Sequence, residues 1–284
     1  MRLVVDHVTR YRYDAPVRAV MQSHRLTPSD CDSQRVVDWA VEVSGGVPGG
    51  AFRDGAGDRM QGWTVPGPVE EVLVRVRGTV ETRDTAGVLK GLRETVSPNC
   101  YLIDTPATEA DAALFALARG VDGDEVLALA HGLAAAVAQA VAYRPGATHA
   151  ATTAAEALAL GEGVCQDHAQ VLIACARLRG LPARYVSGYL FATEDGTPHE
   201  AAHAWAEIHV AGLGWVGFDP ANACCPDERY IRLGSGLDAQ DAAPIRGVAR
   251  GATGASPEVL DVTVAIRAAE QAQAQVQAQS QSQA

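Results

Sequence analysis

Lysine is almost missing from these 284 residues: Lys90 stands alone among 23 basic side chains, the rest being arginine. Against 34 acidic residues this leaves a net charge of −11 and a pI near 5.1. A nucleic-acid binder needs clustered cations to displace counterions, so no nucleic-acid partner is expected. Long apolar runs are missing too. The longest, residues 126–142, is broken by His131 and Gln139 and falls short of the ~20 residues of a membrane helix. The opening stretch MRLVVDHVTRYRYD has no apolar signal core and alternates like a strand. Six cysteines without such a signal point to free thiols in a reducing compartment, so a cytoplasmic location with no membrane association is expected. The scarcity of Lys beside so much Ala reads as codon bias. What is present is an ordinary globular balance, 48% hydrophobic and 20% charged, which excludes disorder for the bulk of the chain. The length fits about two domains at ~100–200 residues each.

Residues 1–105 read as an antiparallel β module. Leu3, Val5, His7, Thr9, Tyr11 and Tyr13 share one face of a strand, with Asp6, Arg10 and Arg12 on the other. Val37, Trp39, Val41 and Val43 repeat the pattern, as do Val72, Val74 and Val76. Between them, residues 45–62 are dense in Gly, Asp and Pro and read as a chain of turns. After Pro106 the period becomes helical. Residues 108–119, 122–142, 154–160 and 164–179 form successive helices, and Thr153 with Glu156 offers a capping box for the third. Strand-like runs follow at 183–191, 203–210 and 214–219, with further ones at 230–233 and 259–266. Helices followed by antiparallel strands give an α+β class. The catalytic unit is expected over 106–267, and 268–284, with Gln at every odd position from 271 to 283, reads as an unfolded low-complexity tail.

Cys165 follows a Gly-x-Gly turn at the start of a helix. Free N–H groups and the positive end of the helix dipole favour the thiolate there, and the thiolate is the nucleophilic form. Gly161 and Gly163 leave room for a substrate, and the Cys165 backbone N–H is a candidate oxyanion donor. His203 stands at a strand start and Asp219 at a strand end. A thiol, an imidazole and an orienting carboxylate are what nucleophilic acyl transfer requires.

The stretches GEGVCQDHAQVLIACARLRGLPARYVSGYL (161–190) and HAWAEIHVAGLGWVGFDPAN (203–222) resemble the transglutaminase-like superfamily, in particular its bacterial members regarded as cysteine proteases. The opening HVTRYRYDAPVRAVMQSHRLTP (7–28) resembles the β-rich N-terminal region that accompanies such domains. The resemblance implies a papain-like core with a Cys165–His203–Asp219 triad acting on a peptide or protein amide. His168 and Gln170 depart from the family pattern, which more often has an aromatic residue and a histidine there. Tyr143, Gly163 and Trp205 are the further candidates for substrate binding or oxyanion stabilisation. No metal or other cofactor is needed by this chemistry; calcium serves some animal relatives, but no loop of clustered carboxylates is present.

Two competing readings come from other classes. His199-Glu200-Ala201-Ala202-His203 is a literal zinc-peptidase motif, with Glu228 as a third ligand. On a strand, however, residues 199 and 203 lie ~13 Å apart at ~3.3 Å per residue, too far for one metal. The other is a binding module that keeps the fold without turnover; an intact triad weighs against it. Cys224-Cys225, Cys175, Cys31 and Cys100 read as inert, and His7, His168 and His209 as packing residues. If His203 and Asp219 share a sheet face, parity demands a hairpin loop of odd length: Val210 opposite Gly214, with Asp219 diagonal to His203. Water is the expected acceptor, since an amine wins only where the cleft excludes water. Trp205 and Trp215 are the candidate wall.

Overall fold

The computed structural model describes residues 1–191, 202–251 and 259–269. Residues 192–201, with His199 and Glu200 of the zinc motif, residues 252–258, and residues 270–284, most of the expected low-complexity segment, lie outside the described residues.

The N-terminal part is built on two long strands, β1 (Arg2–Thr27) and β4 (Arg59–Thr82), with β2 (Gln34–Val43) and β3 (Val47–Arg53) between them in sequence. β1 and β4 run antiparallel from Arg2 opposite Glu81 to Thr27 opposite Arg59, with register shifts between Arg12 and Val17, Val17 and Ala19, and His24 and Thr27. β2 pairs with the C-terminal half of β4 and β3 with its N-terminal half. The expected alternation holds where both partners are regular: Leu3, Val5, His7 and Thr9 are buried with Val72, Val74 and Val76. Val37 departs from it. A register shift between Val36 and Asp38 turns its side chain outward, leaving it 42% exposed. Within 45–62, where turns alone were expected, the structure places β3 and the start of β4. β3 carries Pro48, Gly49 and Gly50 and is exposed at every residue, so it has no apolar period to detect.

The second sheet has the order β11-β8-β9-β10-β5. In chain order these and their helices are β5 (Val88–Leu89), α1 (Ala112–Arg119), α2 (Val126–Ala140), β6 (Ala142–Tyr143), α3 (Ala154–Leu160), β7 (Glu162–Gly163), α4 (Cys165–Leu178), β8 (Ala183–Leu190), β9 (Ala202–Val210), β10 (Gly214–Phe218) and β11 (Tyr230–Gly236). α4 is buried along nearly its whole length. Leu172, Ile173 and Ala176 join one apolar core with Leu114, Leu133 and Val137 of the outer helices and Ala206, Ile208 and Phe218 of the sheet. α1 starts later than expected because Asp111 is the cap; Thr108 is buried and accepts from Arg177 at 2.8 Å. α3 carries the Thr153–Glu156 capping box and ends on Gly161 at φ 69°, a left-handed conformation for which glycine carries no Cβ penalty. The architecture is α+β.

β12 (Ile245–Arg250) and β13 (Val259–Ala268) return to the N-terminal sheet, where both pair with β1. The region 106–267 is therefore not hydrogen-bonded as one unit. Val264 and Ile266 cover the same core as Leu3 and Val5, which a strand assigned from local pattern cannot reveal. The two sheets are bolted together at Arg232 of β11. Its backbone exchanges two hydrogen bonds with the Gln34 amide, and its guanidinium binds Asp58 and Glu207. Glu207 also holds Arg184, and Asp58 also accepts from the Ser235 backbone and hydroxyl. Among the described residues no helix is long and apolar enough to cross a membrane.

Candidate active site

Cys165 is the first residue of α4 and is half-buried. The helix start is fixed by Asp167, whose Oδ2 accepts from the Val164 backbone at 2.8 Å and from Thr148 Oγ1 at 2.6 Å. Gly163 is needed here for space: a Cβ on it would lie 2.7 Å from that of Asp167. It is buried, so it offers room to Asp167 rather than to a substrate. His168, one turn into α4, spans two backbone carbonyls, those of Val164 and Val141, at 2.9 and 2.8 Å; it ties the helix to α2's end. β6 and β7 pair in parallel, setting Tyr143 opposite Gly163. Tyr143 is 50% exposed. Burial, and after it the charges of Cys165 and Asp219, raise its phenol above the ordinary value.

His203 and Asp219 are brought together by the β9–β10 hairpin. Val210 pairs with Gly214 and Ala206 with Phe218 across the three-residue loop Ala211-Gly212-Leu213, with Gly212 and Gly214 at φ 84° and 90°. Asp219 is thus diagonal to His203, as parity requires. The His203 Nε2 and Asp219 Oδ2 lie 2.6 Å apart, both side chains essentially without solvent contact. An ionised carboxylate only accepts, so Nε2 carries the proton. Cys165 is the other side chain that acts on the imidazole, by hydrogen bonding and by charge. Burial works to lower the imidazolium's pKa. The hydrogen bonds and charges of Asp219 and Cys165 outweigh it and raise the value to about 10.

Asp219 holds more donors than the sequence suggested. Oδ2 accepts from Asn222 Nδ2 at 2.7 Å and the Tyr230 hydroxyl at 2.8 Å, and Oδ1 from the backbone of Ala221 and Asn222 at 3.1 and 3.3 Å. Burial pushes the carboxyl up, but the bonds from His203, Asn222 and Tyr230 hold it below its ordinary value. Asn222 could have been read from the Asp-Pro-Ala-Asn turn, in which an aspartate commonly accepts from the backbone two and three residues on. Tyr230 has no local signal, because only the placement of β11 carries it to the site.

The remaining candidates pack behind the site or away from it. Trp205 is 3% exposed and stacks on His203 at 6.3 Å between ring centroids, with Tyr230 edge-on at 5.5 Å. It supports the imidazole from within the sheet. Trp215 is buried against Arg184, 4.0 Å over its ring, and donates to Glu94. Cys175 is core, and burial pushes its thiol up to about 12. Cys224 is pushed up to about 11, burial again leading. Among the described residues no His, Cys, Asp and Glu cluster is arranged to hold a metal ion.

Residues 116–220 match the family model of the transglutaminase-like superfamily, and residues 3–81 match that of the bacterial transglutaminase-like N-terminal region. An uncharacterized protein of Mycobacterium leprae is 30% identical over 280 residues, covering 93% of this chain and 98% of the relative. Another, of Mycobacterium tuberculosis, is 30% identical over 291 residues, covering 93% and 91%. In fold the chain is similar to a crystal structure from Cytophaga hutchinsonii named "Putative Cysteine Protease", with a TM-score of 0.67 and 20% identity over 94% of this chain and 98% of that one.

Proposed function

Because the chain belongs to the transglutaminase-like superfamily and carries its bacterial N-terminal region, we propose that it is a cysteine-dependent enzyme that cleaves an amide or peptide bond through a thioester on Cys165. The observation that carries this reading is the placement of one imidazole between a helix-start thiol and a carboxylate saturated with donors. His203, as imidazolium, holds Cys165 as the thiolate of an ion pair, and the sulfur attacks the substrate carbonyl. The oxyanion forms beside the Cys165 backbone N–H and the half-exposed Tyr143 hydroxyl. His203, as imidazolium, returns its proton to the leaving amine; it then deprotonates the water that hydrolyses the thioester. Asp219 keeps the Nε2 proton in place and stabilises the imidazolium.

Water is favoured over an amine as acceptor because both indoles offered as a wall, Trp205 and Trp215, are buried supports of the sheet. The substrate is a peptide or protein amide, and the site of action is the cytoplasm. Iodoacetamide at about pH 6 should alkylate Cys165 well ahead of the other five cysteines, exposed Cys100 included. A glutamine peptide incubated with a labelled primary amine should then yield free acid, with ammonia released only by protein that retains Cys165. Uniform labelling of the cysteines would refute the nucleophile, and Cys165-dependent uptake of the amine would replace hydrolysis by amine transfer.

A further inference from the structure

Three side-chain donors meet on one oxygen of Asp219, and one of them comes from a strand outside the β9–β10 hairpin. Tyr230 opens β11, with its ring between Trp205 and His203 at 5.5 and 5.8 Å. Its hydroxyl has a single proton, and that proton faces an acceptor-only carboxylate at 2.8 Å. The Cys224 sulfur, 3.3 Å from the same hydroxyl, must therefore be the donor in their contact. A thiol held this way has to stay protonated, in agreement with burial that pushes it up. The result is a directed chain: Cys224 S–H to Tyr230, Tyr230 O–H to Asp219 Oδ2, which also accepts His203 Nε2–H.

β11 is itself fixed by the N-terminal sheet on both sides of Tyr230. Thr82, ending β4, donates to the Glu228 carbonyl, while Gln34 brackets the Arg232 backbone and Asp58 binds its guanidinium. The charges that act on Cys224 besides Asp219 are Arg229 and Asp227, which pair with each other at 2.7 Å.

We propose that Tyr230 is a positioning residue for the triad, and that through it the N-terminal β module sets the orientation of Asp219 and hence of the His203 imidazole. This rests on the catalytic reading above. Without the phenol, Asp219 keeps Asn222 and the turn backbone but loses the one donor that reaches it from β11. The carboxylate can then swing with its own loop, and the imidazolium that stabilises the Cys165 thiolate is held less firmly.

The test is the rate of Cys165 alkylation by iodoacetamide, read by mass spectrometry of the labelled peptide from about pH 5 to about pH 9. Tyr230→Phe keeps the ring and removes one oxygen. It should slow alkylation at about pH 6 by about tenfold, the effect of one hydrogen bond to a charged group, with rates within about twofold at pH 9. The acid limb of the profile therefore moves to higher pH, which looser packing alone would not produce. Cys224→Val leaves Tyr230 in place and removes the donor behind it; it should move the limb the same way by less, and it carries the test if Tyr230→Phe does not fold. Superimposable profiles for wild type and the folded variant would overturn the inference. A wild-type protein in which Cys165 has no advantage at about pH 6 would instead remove the catalytic reading, and this inference with it.

Discussion

An imidazole shared between a thiol and a carboxylate changes how the protein responds to pH. The His203 value of about 10 lies above the 6.5 of an ordinary imidazole, so its stabilisation is complete below about pH 6.5 and is lost as pH rises through about 10. His7 and His24 work on the opposite flank. Burial first, in both, lowers them to about 4, so the unfolded chain takes up protons before they do, and stability falls between about pH 6.5 and 4. Melting temperatures measured across this range should form a dome, and His203→Gln should flatten its alkaline side alone. Gly163→Ala makes a second residue-scale test. Its methyl would meet the Asp167 side chain at 2.7 Å, so the variant should melt lower and react more slowly with iodoacetamide. At this scale the placement of Cys165, His203 and Asp219 was legible because each sits where the chain changes structure, at a helix start, a strand start and a strand end. Tyr230 was not. A tyrosine opening a strand looks the same whether it faces solvent or a buried carboxylate.

At the scale of elements, the nucleophile's helix depends on a cap from within its own first turn. Asp167 takes the Val164 N–H and the Thr148 hydroxyl, and among the described residues no other side chain caps that end. Asp167→Ala should destabilise the protein by about 1–2 kcal/mol, as losses of helix caps do. Urea melts would show this, and Cys165 alkylation should slow in parallel because the thiol shares the frayed turn. Thr153→Ala, at the capping box of α3, should cost about 1 kcal/mol. Helices and the β9–β10 hairpin follow from sequence because their signals are local: caps, a left-handed glycine, and the parity of two residues that must meet. β3 and the outward turn of Val37 do not. One has no buried residue to impose a period, and the other results from a register slip that depends on the partner strand.

The molecule as a whole is held at a few buried charges between the sheets. Asp58 has no solvent exposure and satisfies Arg232 and Ser235 from the other sheet. Asp58→Ala strands the Arg232 guanidinium on that side and should cost about 3–5 kcal/mol, measurable as a large fall in the denaturation midpoint. Asp58 sits in the Gly- and Asp-rich stretch that reads as turns, so nothing local marks it as an anchor. The same holds for β12 and β13: their alternation predicts strands, but pairing with β1 is a property of the closed topology. That pairing has a consequence for biosynthesis. β1 is translated well before the strands at 245–250 and 259–268 that match one of its two edges among the described residues. At ~5–20 residues per second the edge waits on the order of ten seconds or more, while α4 and its sheet emerge and can already pack. The order of completion thus runs against the order of translation: the N-terminal sheet closes after α4 and its sheet, and until then one edge of β1 stays open while β4 holds the other.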